Sequence, residues 1–170
     1  MDVMDAIFAR RSIRSFLPKS IEPEKLERVL DAGRQAPSAS NQQPWRLVVV
    51  TDPLTRQRLA HAARDQKFVG DAPAVLVGCA ITSDRIMTCG QHCYPIDLAI
   101  CLTTISLAAV SQGLGTCWVG AFFENQVKEI LGIPADVRVV ELMPIGYPAE
   151  NPSAHPRKPM AEFAVINKWA

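Results

Sequence analysis

The chain has 170 residues, 48% of them hydrophobic and 21% charged, and a formal net charge of +1. This length suits one domain burying roughly 70% of its unfolded surface, and so small a positive excess argues against a surface that tracks nucleic-acid phosphates. The acidic start (Met1-Asp2-Val3-Met4-Asp5), the lack of low-complexity tracts and the lack of an apolar run near the ~20 residues that cross a bilayer predict a cytoplasmic protein without leader or membrane span.

Val3, Ala6, Ile7 and Arg10 recur at helical spacing behind Asp2, a good N-cap. A second helix, announced over Ser20 to Pro23, carries Leu26, Val29, Leu30 and Gly33 on one stripe until Pro37 stops it. Residues 46–51 and 74–80 read as short buried strands, with a charged helix over 53–66 between them. Residues 81–95 show no clear period, and 96–112 predict a helix apolar on nearly every face that runs through the middle of the fold. A strand over 116–122, a helix over 124–131 and a strand over 137–145 complete an α+β order with no second domain, residues 1–170 forming one unit. The proline-interrupted tail, 146–170, predicts no compact element and is long enough to wrap a neighbouring subunit. Gly113, Gly115 and Gly120 lack the Rossmann spacing, and no nucleophile elbow, zinc helix or P-loop occurs, which disfavours those enzyme classes.

Three stretches can carry chemistry. Arg10, Arg11, Ser12 and Arg14 put three guanidinium groups and a hydroxyl at a helix end, a set that grips a phosphate monoester or simply solvates a helix C-terminus. Pro37-Ser38-Ala39-Ser40-Asn41-Gln42-Gln43-Pro44-Trp45 packs amides and hydroxyls between prolines, suited to a uracil-like ring edge or to a helix cap and polar turn. Residues 113–122 are an extended piece bracketed by glycines, where backbone can approach a flat ligand or make a plain buried strand. The segment 82–94 is the most individual. Cys89, His92 and Cys93 supply three potential metal ligands where a structural zinc site needs four, so no metal is expected. The thiols there are either inert or, just before a helix N-terminus, redox-active. Five cysteines, at 79, 89, 93, 101 and 117, are an odd number, so reduced thiols are expected throughout.

R-R-S-x-R-x-F at the start, A-P-S-x-x-N-x-Q-P-W after the second helix, Asp97 early in an apolar helix, G-L-G-T-C-W-V-G, and a late G-Y-P followed by P-R-K-P occur in this order over nearly the whole chain. In this the sequence resembles the nitroreductase family of FMN flavoproteins. The resemblance implies an α+β nitroreductase-like fold, a central and mostly antiparallel sheet flanked by helices, in an intertwined homodimer whose 146–170 tail extends over the partner. It implies that Arg10, Arg11, Ser12 and Arg14 hold the FMN phosphate and ribityl chain, with Arg157 and Lys158 closing from the tail. Pro37, Ser38, Ala39, Asn41 and Gln43 would reach the flavin of the other subunit. Cys117, Trp118, Val119 and Gly120 would run beside the isoalloxazine, with the backbone N–H of Gly120 or Ala121 donating to N5. Met87, His92 and Tyr94 would belong to a lid over the substrate. The implied reaction is ping-pong hydride transfer from NAD(P)H through FMN to a nitroaromatic or quinone. The competing reading is an FMN-binding dimer that stores or senses flavin without turnover.

Overall fold

A computed structural model of the chain describes residues 1–81 and 84–169. Helix α1 (Val3–Ala9) opens on the expected cap: Asp2 accepts from the Asp5 N–H while the Asp5 carboxylate takes the Asp2 N–H, which satisfies two first-turn donors at once. Helix α2 (Pro23–Arg34) starts from Pro23, whose missing N–H costs nothing at that position. The strands are β1 (Trp45–Val50), mostly half-buried, β2 (Ala74–Ala80), β3 (Gly115–Thr116) and β4 (Arg138–Gly146), ordered β1-β2-β4-β3 with every neighbour antiparallel.

Strand β2 is buried at every residue because both faces are covered. Val75 and Val77 join Leu59, Val69, Val127 and Leu142 in a core shared with α3 (Pro53–Ala62), α4 (Lys67–Asp71) and α6 (Glu124–Leu131). Ala74 and Leu76 point the other way, into a core with Val29, Leu102, Ile105 and Met143 under α2 and α5 (Cys93–Ser111). This alternation is the period-two geometry of a strand sandwiched between helical layers.

Several expectations are corrected. The strand over 116–122 shrinks to Gly115–Thr116 plus a single bridge from Val119 to Leu142. Its partner in register is Pro144, which accepts from the Cys117 N–H at 3.3 Å but has no N–H to return, so the ladder breaks there. The helix over 53–66 ends at Ala62, because Arg64 and Asp65 take left-handed backbone (φ 59° each) before the separate turn α4. Helix α5 begins at Cys93 rather than Ile96, Pro95 being tolerated in a first turn whose N–H groups are unpaired anyway. By length and composition α5 would suffice to cross a membrane, contrary to the expectation that no such run exists. Its Leu98, Cys101, Leu102, Ile105 and Ala109 face is buried in the core, while Ile96 and Ile100 are exposed. The tail does form one helical turn, α7 (Met160–Phe163), though every tail residue beyond Pro152 that is described is exposed.

Candidate functional site

Residues 12–17 run along the end of the sheet, joined to it by two isolated bridges, Ser12 to Thr116 and Phe16 to Pro148. Ser12 bridges Thr116 in parallel, the Ile13 N–H donates to the Thr116 carbonyl at 3.0 Å, Leu17 donates to Tyr147 at 2.8 Å, and Ala149 donates to Ser15 at 2.9 Å. The fit depends on Gly115: a Cβ there would lie 3.0 Å from the Ile13 Cβ, inside van der Waals contact. Glu150 completes the edge, its Oε1 accepting from the Arg14 and Ser15 N–H groups.

This docking brings the arginine-rich start next to the segment after β3. Burial pushes the Cys117 thiol up, opposed by the charge of Arg14, by the Ser12 hydroxyl and by Arg10, so these four predicted residues share one neighbourhood. Arg11 is turned otherwise. Its Nη1 donates to the carbonyls of Phe8 (2.6 Å) and Arg10 (2.9 Å), capping the end of α1, and its buried Nε has no partner among the described residues.

Cys117 and Val119 are buried, whereas Trp118, Gly120 and Ala121 face outward. No hydrogen bond among the described residues takes the N–H of Gly120 or Ala121. Beside Gly120 stands a buried acid: a Cβ on Gly120 would sit 3.6 Å from the Glu141 Oε2, and Glu141 Oε1 has no partner among the described residues. Burial raises the Glu141 pKa to about 7.

The 37–43 stretch follows α2 as a loop around a single 3₁₀ turn, Ala39–Asn41. Ser40 (φ 53°), Asn41 (φ 53°) and Gln43 (φ 49°) all take left-handed backbone. The loop is tied internally, the Gln43 N–H donating to Ser38 Oγ at 2.9 Å, and externally by two side chains. The carboxylate of Asp97 accepts from the Ala39 N–H at 3.0 Å, and Arg85 donates to the Ala39 carbonyl (3.2 Å) and to Ser40 Oγ (2.9 Å). No hydrogen bond connects this loop to residues 10–14 or 118–121 within the chain, among the described residues.

Of the segment 82–94, Thr82 and Ser83 lie outside the described residues. Residues 85–93 form a small hairpin rather than an aperiodic stretch. Ile86 bridges His92, the Met87 N–H donates to Gln91 (2.8 Å), the Gly90 N–H donates to Met87 (2.8 Å), and Cys93 donates to Arg85 (3.0 Å). His92 and Tyr94 pack ring to ring at 5.8 Å, and Arg138 donates to the Tyr94 hydroxyl at 3.2 Å. Cys89 is exposed on the turn and Cys93 is buried at the head of α5, so the two thiols occupy different environments. Among the described residues no group of His, Cys, Asp or Glu could hold a metal ion. Arg157 and Lys158 are exposed in the tail and make no hydrogen bond or ion pair with residues 10–14.

The model of the family described as nitroreductase matches residues 7–91 and 63–147, two overlapping spans that together take in all three motif stretches. The chain belongs to the nitroreductase family. A nitroreductase-family protein of Clostridium novyi NT is similar at 35% identity, TM-score 0.83, over 87% of each chain. The NADPH:FMN oxidoreductase of Vibrio harveyi, solved in complex with NAD+, is similar at 32% identity and TM-score 0.90, over 99% of this chain and 78% of that one. An NADH dehydrogenase of Thermus thermophilus is 31% identical over 191 residues, 94% of this chain and 93% of its own length.

Beside the stretches typical of this family, the chain holds residues that the motifs do not single out. Arg85 and Glu150 hydrogen-bond to motif backbone, as does Asp97, noticed only as an acid in an apolar helix, and Glu141 stands beside Gly120. For Glu141 the signal was present in the sequence: a carboxylate inside V-V-E-L-M-P-I is a charge on a strand that must be buried.

Proposed function

We propose that this chain is an NAD(P)H-oxidising FMN enzyme that works as a homodimer with shared sites, in the cytoplasm. The observation that carries the reading is one edge of the fold where the N–H groups of two exposed residues, Gly120 and Ala121, have no hydrogen-bond partner among the described residues and lie on the segment that Arg10, Ser12 and Arg14 adjoin. A flat cofactor with a phosphate tail needs that combination: fixed donors at the ring and cations at the tail. The buried Nε of Arg11, without a partner among the described residues, adds a further donor.

FMN would supply the two-electron redox chemistry between NAD(P)H and an acceptor, so no protein nucleophile would be required. Arg10, Arg11, Ser12 and Arg14 hold the phosphate, joined by Arg157 and Lys158. Cys117, Trp118 and Val119 back the ring, and the N–H of Gly120 or Ala121 is offered to N5. Pro37, Ser38, Ala39, Asn41 and Gln43 serve the site of the second subunit, which accounts for a polar, built loop with no hydrogen bond, among the described residues, to residues 10–14 or 118–121 of its own chain. Met87, His92 and Tyr94 bound the space for the acceptor, a nitroaromatic or quinone that enters the same pocket after nicotinamide leaves it, in ping-pong order. The names of the relatives support this reading, in which NADPH and FMN recur.

The test uses the purified protein. A yellow dimer on a sizing column, bleached by NADH or NADPH without oxygen and recoloured by a quinone or nitroaromatic, is expected. A colourless protein that takes up no added FMN, or a flavin-loaded monomer, overturns the proposal.

A further inference from the structure

The polar loop over 38–43 is costly to hold. Three residues other than glycine in four positions take left-handed backbone, each against a steric preference, and such a shape persists only where its surroundings fix it. Two side chains do so, and both act on Ala39. Asp97, on α5, is 3% exposed, and its Oδ1 receives the Ala39 N–H at 3.0 Å while Oδ2 is left without a partner among the described residues. A buried carboxylate with an unmet oxygen is expensive in a helix that could have carried leucine there. From the other side Arg85 grips the Ala39 carbonyl and the Ser40 hydroxyl with two nitrogens of one guanidinium fork, at 3.2 and 2.9 Å.

Arg85 is also the base of the hairpin, since its carbonyl receives the Cys93 N–H at 3.0 Å, immediately before Ile86 pairs with His92. One residue therefore belongs to both the hairpin and the loop.

We propose that Asp97 and Arg85 are positioning residues that clamp Ala39 from its two sides, so that the hairpin over residues 85–93 sets the shape of the loop and, through it, the affinity for FMN. This rests on the reading above, in which the loop faces flavin. Asp97 fixes one end of the peptide from the rigid core, and Arg85 makes the other end answer to the segment that borders the acceptor. By linkage, whatever moves the hairpin changes the hold on flavin, and flavin changes the hairpin by the same factor.

The experiment titrates FMN into apoprotein by flavin fluorescence, for wild type, Arg85→Ala, Arg85→Lys, Asp97→Ala and Asp97→Asn, with apoprotein melting and visible circular dichroism of the bound flavin recorded alongside. Arg85→Ala should weaken FMN about tenfold, the loss of charge-assisted bonds, with apoprotein melting unchanged and the bound-flavin dichroism altered. Lysine cannot fork to two acceptors and should restore the affinity only in part. Asp97→Asn keeps an oxygen for the Ala39 N–H and should bind FMN far better than Asp97→Ala. Should Asp97→Ala fail to fold, the exposed Arg85 pair decides. Wild-type affinity and dichroism in Arg85→Ala overturn the clamp and leave the flavin reading standing. A wild-type apoprotein that binds no FMN overturns both.

Discussion

Replacing Glu141 with glutamine should make stability less dependent on pH, by an amount set by where the side chain sits. Glu141 is 9% exposed on β4 between Val140 and Leu142, with Oε1 unpaired among the described residues, and burial raises its pKa from 4.5 to about 7. The folded chain therefore keeps a proton that the unfolded chain releases. An acid raised on folding stabilises the native state below the unfolded pKa, and that contribution is lost as pH rises from 4.5 through about 7. At 1.36 kcal/mol per pH unit the loss is at most about 3–4 kcal/mol. Glu141→Gln keeps the size and abolishes the titration. Its stability minus that of wild type should climb by about 2–3 kcal/mol between pH 4.5 and 8, from a low-pH offset that reflects only the bonds the amide cannot make. Urea denaturation at four pH values measures it, with protein and FMN held at fixed concentration because both shift apparent stability. A difference that stays flat across the range would refute the buried, proton-holding assignment.

Three further predictions test other parts of the site. Arg14→Ala should weaken FMN about 10- to 100-fold without lowering the melting temperature of the apoprotein, while Arg11→Ala should lower both, because only Arg11 also caps α1; equal behaviour of the two in paired titrations and melts contradicts the assignment. Gly115→Ala drives a methyl into Ile13, which should cost about 1–3 kcal/mol, or about 5 °C in a scanning-fluorimetry melt, and loosen FMN as residues 12–17 shift; an unchanged melt refutes the close packing. Burial pushes the Cys79 and Cys101 thiols to about 11, so a chromogenic disulfide at pH 8 should find one fast thiol per native chain, the exposed Cys89; the fast signal should vanish in Cys89→Ser, and a second fast thiol would count against the packing.

The sequence was most legible where a single local rule decides structure. The cap at Asp2, the apolar stripe Leu26-Val29-Leu30-Gly33 and the β-branched runs of β1, β2 and β4 need no knowledge of what they pack on. It was least legible where a partner strand decides. Residues 117–122 have strand composition, and only the register that sets Cys117 opposite Pro144 ends the ladder. The hairpin at 86–92 was invisible for a related reason: its strands are one bridge long and its turn depends on Gly90 at φ 87°. The motifs named residues that are meant to touch a ligand. They did not name Arg85 or Glu141, which act on the motif segments from outside them and so carry no pattern of their own, and they gave Asp97 only as an acid in an apolar helix, without its bond to Ala39.

Two oddities of the single chain have one explanation under the proposed dimer. Helix α1 exposes Val3, Met4, Ile7 and Phe8, α5 exposes Ile96 and Ile100, and the tail exposes Met160, Phe163, Val165, Ile166 and Trp169. Separately, the polar 38–43 loop is clamped into a strained shape yet makes no hydrogen bond, among the described residues, to residues 10–14 or 118–121 of its own chain. A second copy laid over α1 and α5, with the tails wrapped outside, would bury the first set and give the second a flavin to meet. The strain in the loop then has a reason that one chain alone cannot supply, because a loop shaped for a ligand held elsewhere must be rigid before that ligand arrives.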